Sequence, residues 1–202
     1  MKMTVQELAE ACGGQLLAGS PLAAVTSVTT DSRQVKAGAL FVPLVGEKTD
    51  AHRFIGTAFA AGAAAALTQE PGQPGTGGAV IAVGDTRAAL QKIAAKWRRR
   101  FQGTVIGITG SVGKTTTKEM VALALSAGFR VMKTEGNQNS QIGLPLTMFR
   151  LSPDCEAAVV EMGMSEFGEM ARLAAVAAPD FAVMTNIGVS HIGQLKTREN
   201  IR

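Results

Sequence analysis

The residues with the clearest chemical content lie in VIGITGSVGKTTTKEM, residues 105–120. A β-branched run passes through glycines into Gly113-Lys114-Thr115-Thr116 and then into residues with helical preference. Such a junction gathers backbone N–H groups at one point, and the positive end of the helix dipole adds to them. Gly110, Ser111, Val112 and Gly113 form the loop, with Gly107 preceding it. Lys114 supplies a point charge for terminal phosphates, and Thr115 a hydroxyl for Mg²⁺, with Thr116 beside them. The strict G-x-x-x-x-G-K-[ST] pattern misses by one place, because Ile108 stands where its first glycine belongs. The expected ligand is a nucleoside triphosphate with Mg²⁺.

Other candidates follow from the strands that must flank this loop. Ligands of open parallel sheets sit at the carboxyl ends of the strands. Glu161 closes the apolar run AAVVE, where a carboxylate is placed to take Mg²⁺. Asn186 closes FAVMTN, and His191 follows in the next loop, one of only two histidines. Asn137 and Asn139 follow another expected strand, at 130–133.

These positions require a repeated strand–helix pattern. Strands are expected at 105–109, 130–133, 157–161 and 181–186, with helices at 114–126, 144–151 and 169–177. The alternation implies a parallel sheet with helices on both faces. Before residue 102, Thr4 and Glu7 read as a capping box for a helix ending at Gly13-Gly14. Strands are expected at 25–29, 63–68 and 80–83. A further one at 40–44 contains Pro43 and is expected to be an edge or irregular strand. A helix spans 54–61. Another starts at Asp85, buries Leu90, Ile93, Ala94, Trp97 and Phe101, and ends at Gln102-Gly103. The fold class is α/β, with one domain over 1–102 and the first part of a P-loop domain over 103–202.

Composition sets bounds. The chain has 202 residues, 46% hydrophobic and 18% charged, with a net charge of +4. That mild charge does not imply nucleic acid. The basic run Lys96–Arg100 reads as the solvated end of a helix. Cys12 and Cys155 lie outside any CxxC spacing, which suits a reducing compartment. No run approaches the roughly 18 apolar residues of a membrane span, and no signal peptide is evident, so the cytoplasm is expected.

Five stretches together resemble the Mur ligases, the ATP-dependent amide ligases of peptidoglycan precursor synthesis. They are GITGSVGKTTTKEM, TTDSRQVKAGALFVPLVGEKTDAHRFI, GNQNSQIGLPLTMFRL, VVEMGMSEFGEM and TNIGVSHIGQLKTRENI. Within that family they are most similar to the branch that joins D-alanyl-D-alanine (D-Ala-D-Ala) to UDP-N-acetylmuramoyl-tripeptide (UDP-MurNAc-tripeptide). The family loop has glycine at the positions of Gly107 and Gly110, which accounts for Ile108. The resemblance implies ATP and Mg²⁺ as cofactors and an acyl phosphate on the reaction path. It implies catalytic roles for Lys114, Glu161 and His191, with Thr115, Glu161 and His191 toward the metal. It places Ser32, Arg33, Lys48, Asp50 and His52 toward the UDP-sugar, joined by Asn137 and Asn139. The chain departs from the family at Ala51 and Ser140, where glycine and asparagine are usual. Because these ligases have three domains, the resemblance implies an N-terminal fragment that binds ligands with little turnover. Three rivals stay open: another ligase of the same architecture, a regulatory P-loop ATPase using Arg98–Arg100 on nucleic acid, or a module that only binds a UDP-sugar.

Overall fold

The computed structural model describes residues 1–46, 49–72, 77–188, 193 and 196–197. The chain divides into two compact units, Met1–Lys96 and Trp97–Arg202.

The first unit begins with β1 (Met3–Thr4) and α1 (Val5–Cys12). The Thr4 hydroxyl accepts from the Glu7 N–H at 3.2 Å, and the Glu7 carboxylate accepts from the Thr4 N–H at 2.8 Å. This capping box starts the helix as the sequence predicts, and Gly13, at φ 70°, stops it in the left-handed region. There follow β2 (Gln15–Ala18), β3 (Ala24–Val25), β4 (Ser27–Thr29), β5 (Ala39–Phe41), α2 (Ile55–Ala60), β6 (Ala65–Thr68), β7 (Ala79–Ala82) and α3 (Thr86–Arg98). The main sheet has the order β2-β7-β6-β5-β4. Its strands are parallel except for β2, which runs antiparallel to β7. β5 and β6 are buried at every residue, as parallel strands covered on both faces must be. Phe41, Ile55, Ala58, Phe59, Ala66 and Val80 pack together as a core.

Three expectations change here. The strand expected at 25–29 is two strands: the Thr26 N–H leaves for the Gly38 carbonyl, so β3 pairs with β1 while β4 joins the main sheet. The strand expected to be edge or irregular is interior and shorter than expected. β5 stops at Phe41, before Pro43, so the missing N–H falls outside the ladder. β2, short and only partly buried, has no counterpart in the sequence reading.

The second unit carries β8 (Thr104–Thr109), α4 (Lys114–Leu125), β9 (Val131–Lys133), α5 (Gly143–Met148), β10 (Ala157–Glu161), α6 (Glu169–Ala177) and β11 (Phe181–Met184). Its sheet is wholly parallel, in the order β11-β8-β10-β9. β10 and α6 have the predicted bounds. Every residue of β10 is buried, and Ile108, Ala122 and Val159 form the core between sheet and α4. The register pairs Glu161 with Ile108 and Met184 with Thr109. The carboxyl ends of three adjacent strands therefore lie level with the start of the loop before α4.

The basic run is not simply a solvated helix end. Arg98 is buried, and its Nε donates to the Ala177 carbonyl at 2.8 Å. Its Nη2 donates to the Ala178 carbonyl and to Asp180 Oδ2, both at 3.0 Å. A guanidinium fork thus caps the carbonyl end of α6, where positive charge is favoured. α3 stops at Arg98, short of the predicted end.

Candidate functional site

The site is built where β8 turns into α4. Gly110 sits at φ 128°, and a Cβ there would lie 2.2 Å from Thr185 Oγ1. Only glycine satisfies both the dihedral and the space. Gly113, at φ 86°, is the N-cap of α4 and provides no side-chain cap. The first-turn N–H groups of α4 are therefore left for an anion rather than consumed by a capping side chain. Lys114 Nζ donates to the carbonyls of Gly110 at 2.7 Å and Ser111 at 3.3 Å, which holds the ammonium over the loop.

The end of β11 stitches the other side of the loop. The Ser111 N–H donates to the Asn186 carbonyl at 3.0 Å, and the Gly188 N–H to Ser111 Oγ at 2.8 Å. Asn186 accepts from the Val112 N–H at 3.2 Å and donates to the Val112 carbonyl at 2.9 Å. Thr185 Oγ1 donates to the same carbonyl at 2.6 Å. Asn186, expected to contact nucleotide, thus spends its amide on the loop backbone and shapes the loop. Thr185 was not singled out by sequence; its only signal is its place directly after a strand aimed at the loop.

Beside the loop, Glu161 is 2% exposed. Its Oε2 accepts from Thr115 Oγ1 at 2.9 Å, and its Oε1 from Asn139 Nδ2 at 2.7 Å. The Glu161 N–H donates to Thr134 Oγ1 at 2.9 Å, and the Asn139 carbonyl accepts from the Gly163 N–H at 2.9 Å. Two segments, α4 through Thr115 and the 139 loop through Asn139, therefore fix the carboxylate, while Thr134 holds its backbone. No group of three or more His, Cys, Asp or Glu residues gathers among the described residues. A carboxylate plus a hydroxyl is a hard-oxygen pair. It suits Mg²⁺, which commonly takes one or two protein ligands and completes its shell with phosphate and water oxygens. Lys118 is buried behind this pair, another residue that sequence reasoning missed.

The other candidates divide. Thr116 is exposed on the first turn of α4. Asn137 is exposed, and the hydrogen bond to Glu161 comes from Asn139 instead. Gly107 does not line the loop. It lies within β8, where a Cβ would meet Met162 Sδ at 2.9 Å, so it permits packing. His191 falls outside the described residues, as does Lys48.

In the first unit, Asp31 caps a 3₁₀ turn over Ser32–Gln34. Its carboxylate accepts from the Arg33 N–H at 3.0 Å, from Nε at 2.9 Å and from Nη2 at 2.8 Å. The side-chain and backbone bonds from Arg33 hold the Asp31 carboxyl well below the usual carboxylate range. The Arg33 side chain is 87% exposed, so its guanidinium is presented to solvent in a set direction. Ser32 is half-buried beside it. Asp50 caps a second 3₁₀ turn, Ala51–Phe54. His52 is buried; its Nδ1 lies 2.5 Å from Asp50 Oδ1, and its Nε2 accepts from the Gln69 N–H at 3.0 Å. That pattern puts the ring proton on Nδ1, donating to Asp50. Both ring nitrogens are engaged within the fold, so His52 holds the turn in place, and Asp50 is the more exposed partner.

Two family models match the chain. The Mur ligase middle domain matches residues 108–202, and the catalytic domain of the Mur ligase family matches residues 24–98. The UDP-N-acetylmuramoyl-tripeptide–D-alanyl-D-alanine ligase of Bacillus subtilis is 45% identical, covering 100% of this chain and 44% of its own length. The ligase of the same name from Escherichia coli is 37% identical over 95% of this chain and 42% of its own. Among solved structures, MurF from Acinetobacter baumannii superposes with a TM-score of 0.91 at 34% identity, covering all of this chain and 44% of that one. MurF from Thermotoga maritima, solved in complex with ADP, gives 0.80 at 36% identity over 88% of this chain and 41% of that one. The chain spans less than half the length of the curated relatives it matches.

Proposed function

Since the chain belongs to the Mur ligase family, we propose that it serves the ATP-dependent ligation of D-Ala-D-Ala to UDP-MurNAc-tripeptide, the reaction its relatives are named for. Residues 1–102 are assigned to the UDP-sugar and residues 103–202 to the ATP phosphates, in a compartment that supplies both, the cytoplasm. The dipeptide is assigned mainly to the stretch of the relatives that this chain does not match.

In this reading a substrate carboxylate oxygen attacks the γ-phosphorus and ADP leaves. The dipeptide amine then attacks the acyl carbon, phosphate leaves, the nitrogen loses a proton, and an amide remains. Positioning and charge neutralisation dominate such a transfer. The amides of residues 110–115 cradle the phosphates, and Lys114 follows the charge on the terminal ones. Thr115 and Glu161 would hold Mg²⁺, with Asn139 orienting the carboxylate. The ion supplies charge screening on the phosphate oxygens. The family resemblance adds His191 near the metal. It also directs Ser32, Arg33 and Asp50 toward the UDP-sugar, with His52 holding the turn beside it and Lys48 in the same loop.

The observation that carries the reading is the meeting of Thr115 Oγ1 with Glu161 Oε2 at 2.9 Å beside a loop whose helix has no side-chain cap. Calorimetric titration with UDP-MurNAc-tripeptide, with Mg-ATP in parallel, tests it. Saturable binding of both is expected. ATP binding with no response to the UDP-sugar would reject the assignment of the first unit.

A further inference from the structure

Lys118 has no part in the phosphate contacts above, yet it is 1% exposed. It stands one turn after Thr115 on α4, so both side chains reach the same carboxylate. Its Nζ donates to the Thr134 carbonyl at 2.9 Å and lies 4.0 Å from Glu161 Oε2. Glu119 Oε1 is 3.1 Å away, but that carboxylate is also claimed by Lys133. Lys118 therefore stands between two carboxylates, Glu119 at 3.1 Å and Glu161 at 4.0 Å. A buried ion needs compensation. Here the carboxylate is balanced by an ammonium, an amide and a hydroxyl, all from the chain itself.

We propose that Lys118 is a positioning residue that makes the cation site conditional: it balances Glu161 in advance, so a free divalent ion is disfavoured and one carried by a nucleotide's phosphates is accepted. A cation arriving alone meets a fixed positive charge in a buried setting, where screening is weak. The same cation arriving with phosphates brings its own negative charge and finds Glu161 already aimed. A purely structural Lys118 would tie α4 to the end of β9 through the Thr134 carbonyl and leave ion selectivity untouched. The inference rests on the assignment of Thr115 and Glu161 to the metal.

The test is Mn²⁺ binding to the 202-residue chain, followed by the loss of the free-ion electron paramagnetic resonance signal beyond that in protein-free samples of the same Mn²⁺ and ADP content, with and without ADP. The unmodified chain is expected to take up Mn²⁺ with ADP and to bind the free ion at least about tenfold more weakly. Lys118→Gln keeps a donor for Thr134 and removes the charge. It should tighten free Mn²⁺ by at least about tenfold, whereas Lys118→Arg should stay near the unmodified chain. Unchanged or weaker free-ion binding in a folded Lys118→Gln would overturn the proposal. Should that variant not fold by circular dichroism, the unmodified chain decides: equal uptake with and without ADP overturns the proposal, and uptake confined to ADP supports it. Absence of Mn²⁺ uptake under every condition would instead sink the metal assignment itself, and this inference with it.

Discussion

Replacing Gly110 with alanine asks whether the loop geometry is what makes the site. At φ 128° an L-residue is strained, by about 1–3 kcal/mol. The new Cβ would also fall 2.2 Å from Thr185 Oγ1 and 3.0 Å from the Asn186 backbone. Thr185 must then release the Val112 carbonyl, which it now meets at 2.6 Å, a further loss of about 0.5–1.5 kcal/mol. Together these come to roughly 1.5–4.5 kcal/mol. Part of the cost can be relieved by moving the loop, which displaces the amides that face the phosphates. Gly110→Ala should therefore weaken Mg-ATP at least about tenfold and lower the melting temperature of the second unit. Gly113→Ala is the matched control. It has a similar φ of 86° but nothing within 4 Å of the new methyl, so it carries strain alone, about 1–2 kcal/mol. Thermal unfolding of both variants without nucleotide gives the comparison. If Gly113→Ala proves as damaging as Gly110→Ala, or more so, the stitching of β11 to the loop is not what holds the loop.

Thr134→Val leaves the Glu161 N–H without its buried acceptor; a loss of about 1–3 kcal/mol is expected in denaturant unfolding, largely recovered by Thr134→Ser. Arg98→Met removes the fork from the end of α6, at about 2–3 kcal/mol; Arg98→Lys should recover little, because an ammonium cannot span both carbonyls and Asp180 at once. The Asp31 carboxyl is held low by Arg33, so its stabilising effect is present above the unfolded value near about 3.9 and lost as pH falls through the folded one. In Arg33→Ala, the carboxyl resonance followed by NMR should titrate closer to the unfolded value, and an unmoved midpoint would deny the pairing.

Local signals in the sequence located much of this. The capping box at Thr4 and Glu7, the buried run ending at Glu161, and the Gly-Lys-Thr junction are each legible within a few residues, because their causes are local. What stayed hidden depends on distant partners. Arg98 reads as one cation in a basic run, since its carbonyl partners lie 79 and 80 residues away. Lys118 carries no local signal, because the Thr134 carbonyl and Glu161 that surround it come from other segments. The sequence puts Asn186 at a strand end beside the loop; the register of β11 on β8 is what brings its amide to Val112. Pro43 suggests an edge or irregular strand for β5, and the strand avoids the conflict by ending before it.

The central claim is that residues 110–115 bind the phosphates of a nucleotide, with Lys114 as the charge that completes the cradle. Calorimetric titration of Mg-ATP into the unmodified chain and into Lys114→Ala, with circular dichroism to establish that both are folded, tests it most directly. Saturable binding is expected in the first and none detectable in the second, with unchanged spectra. Equal affinity in the two would contradict it.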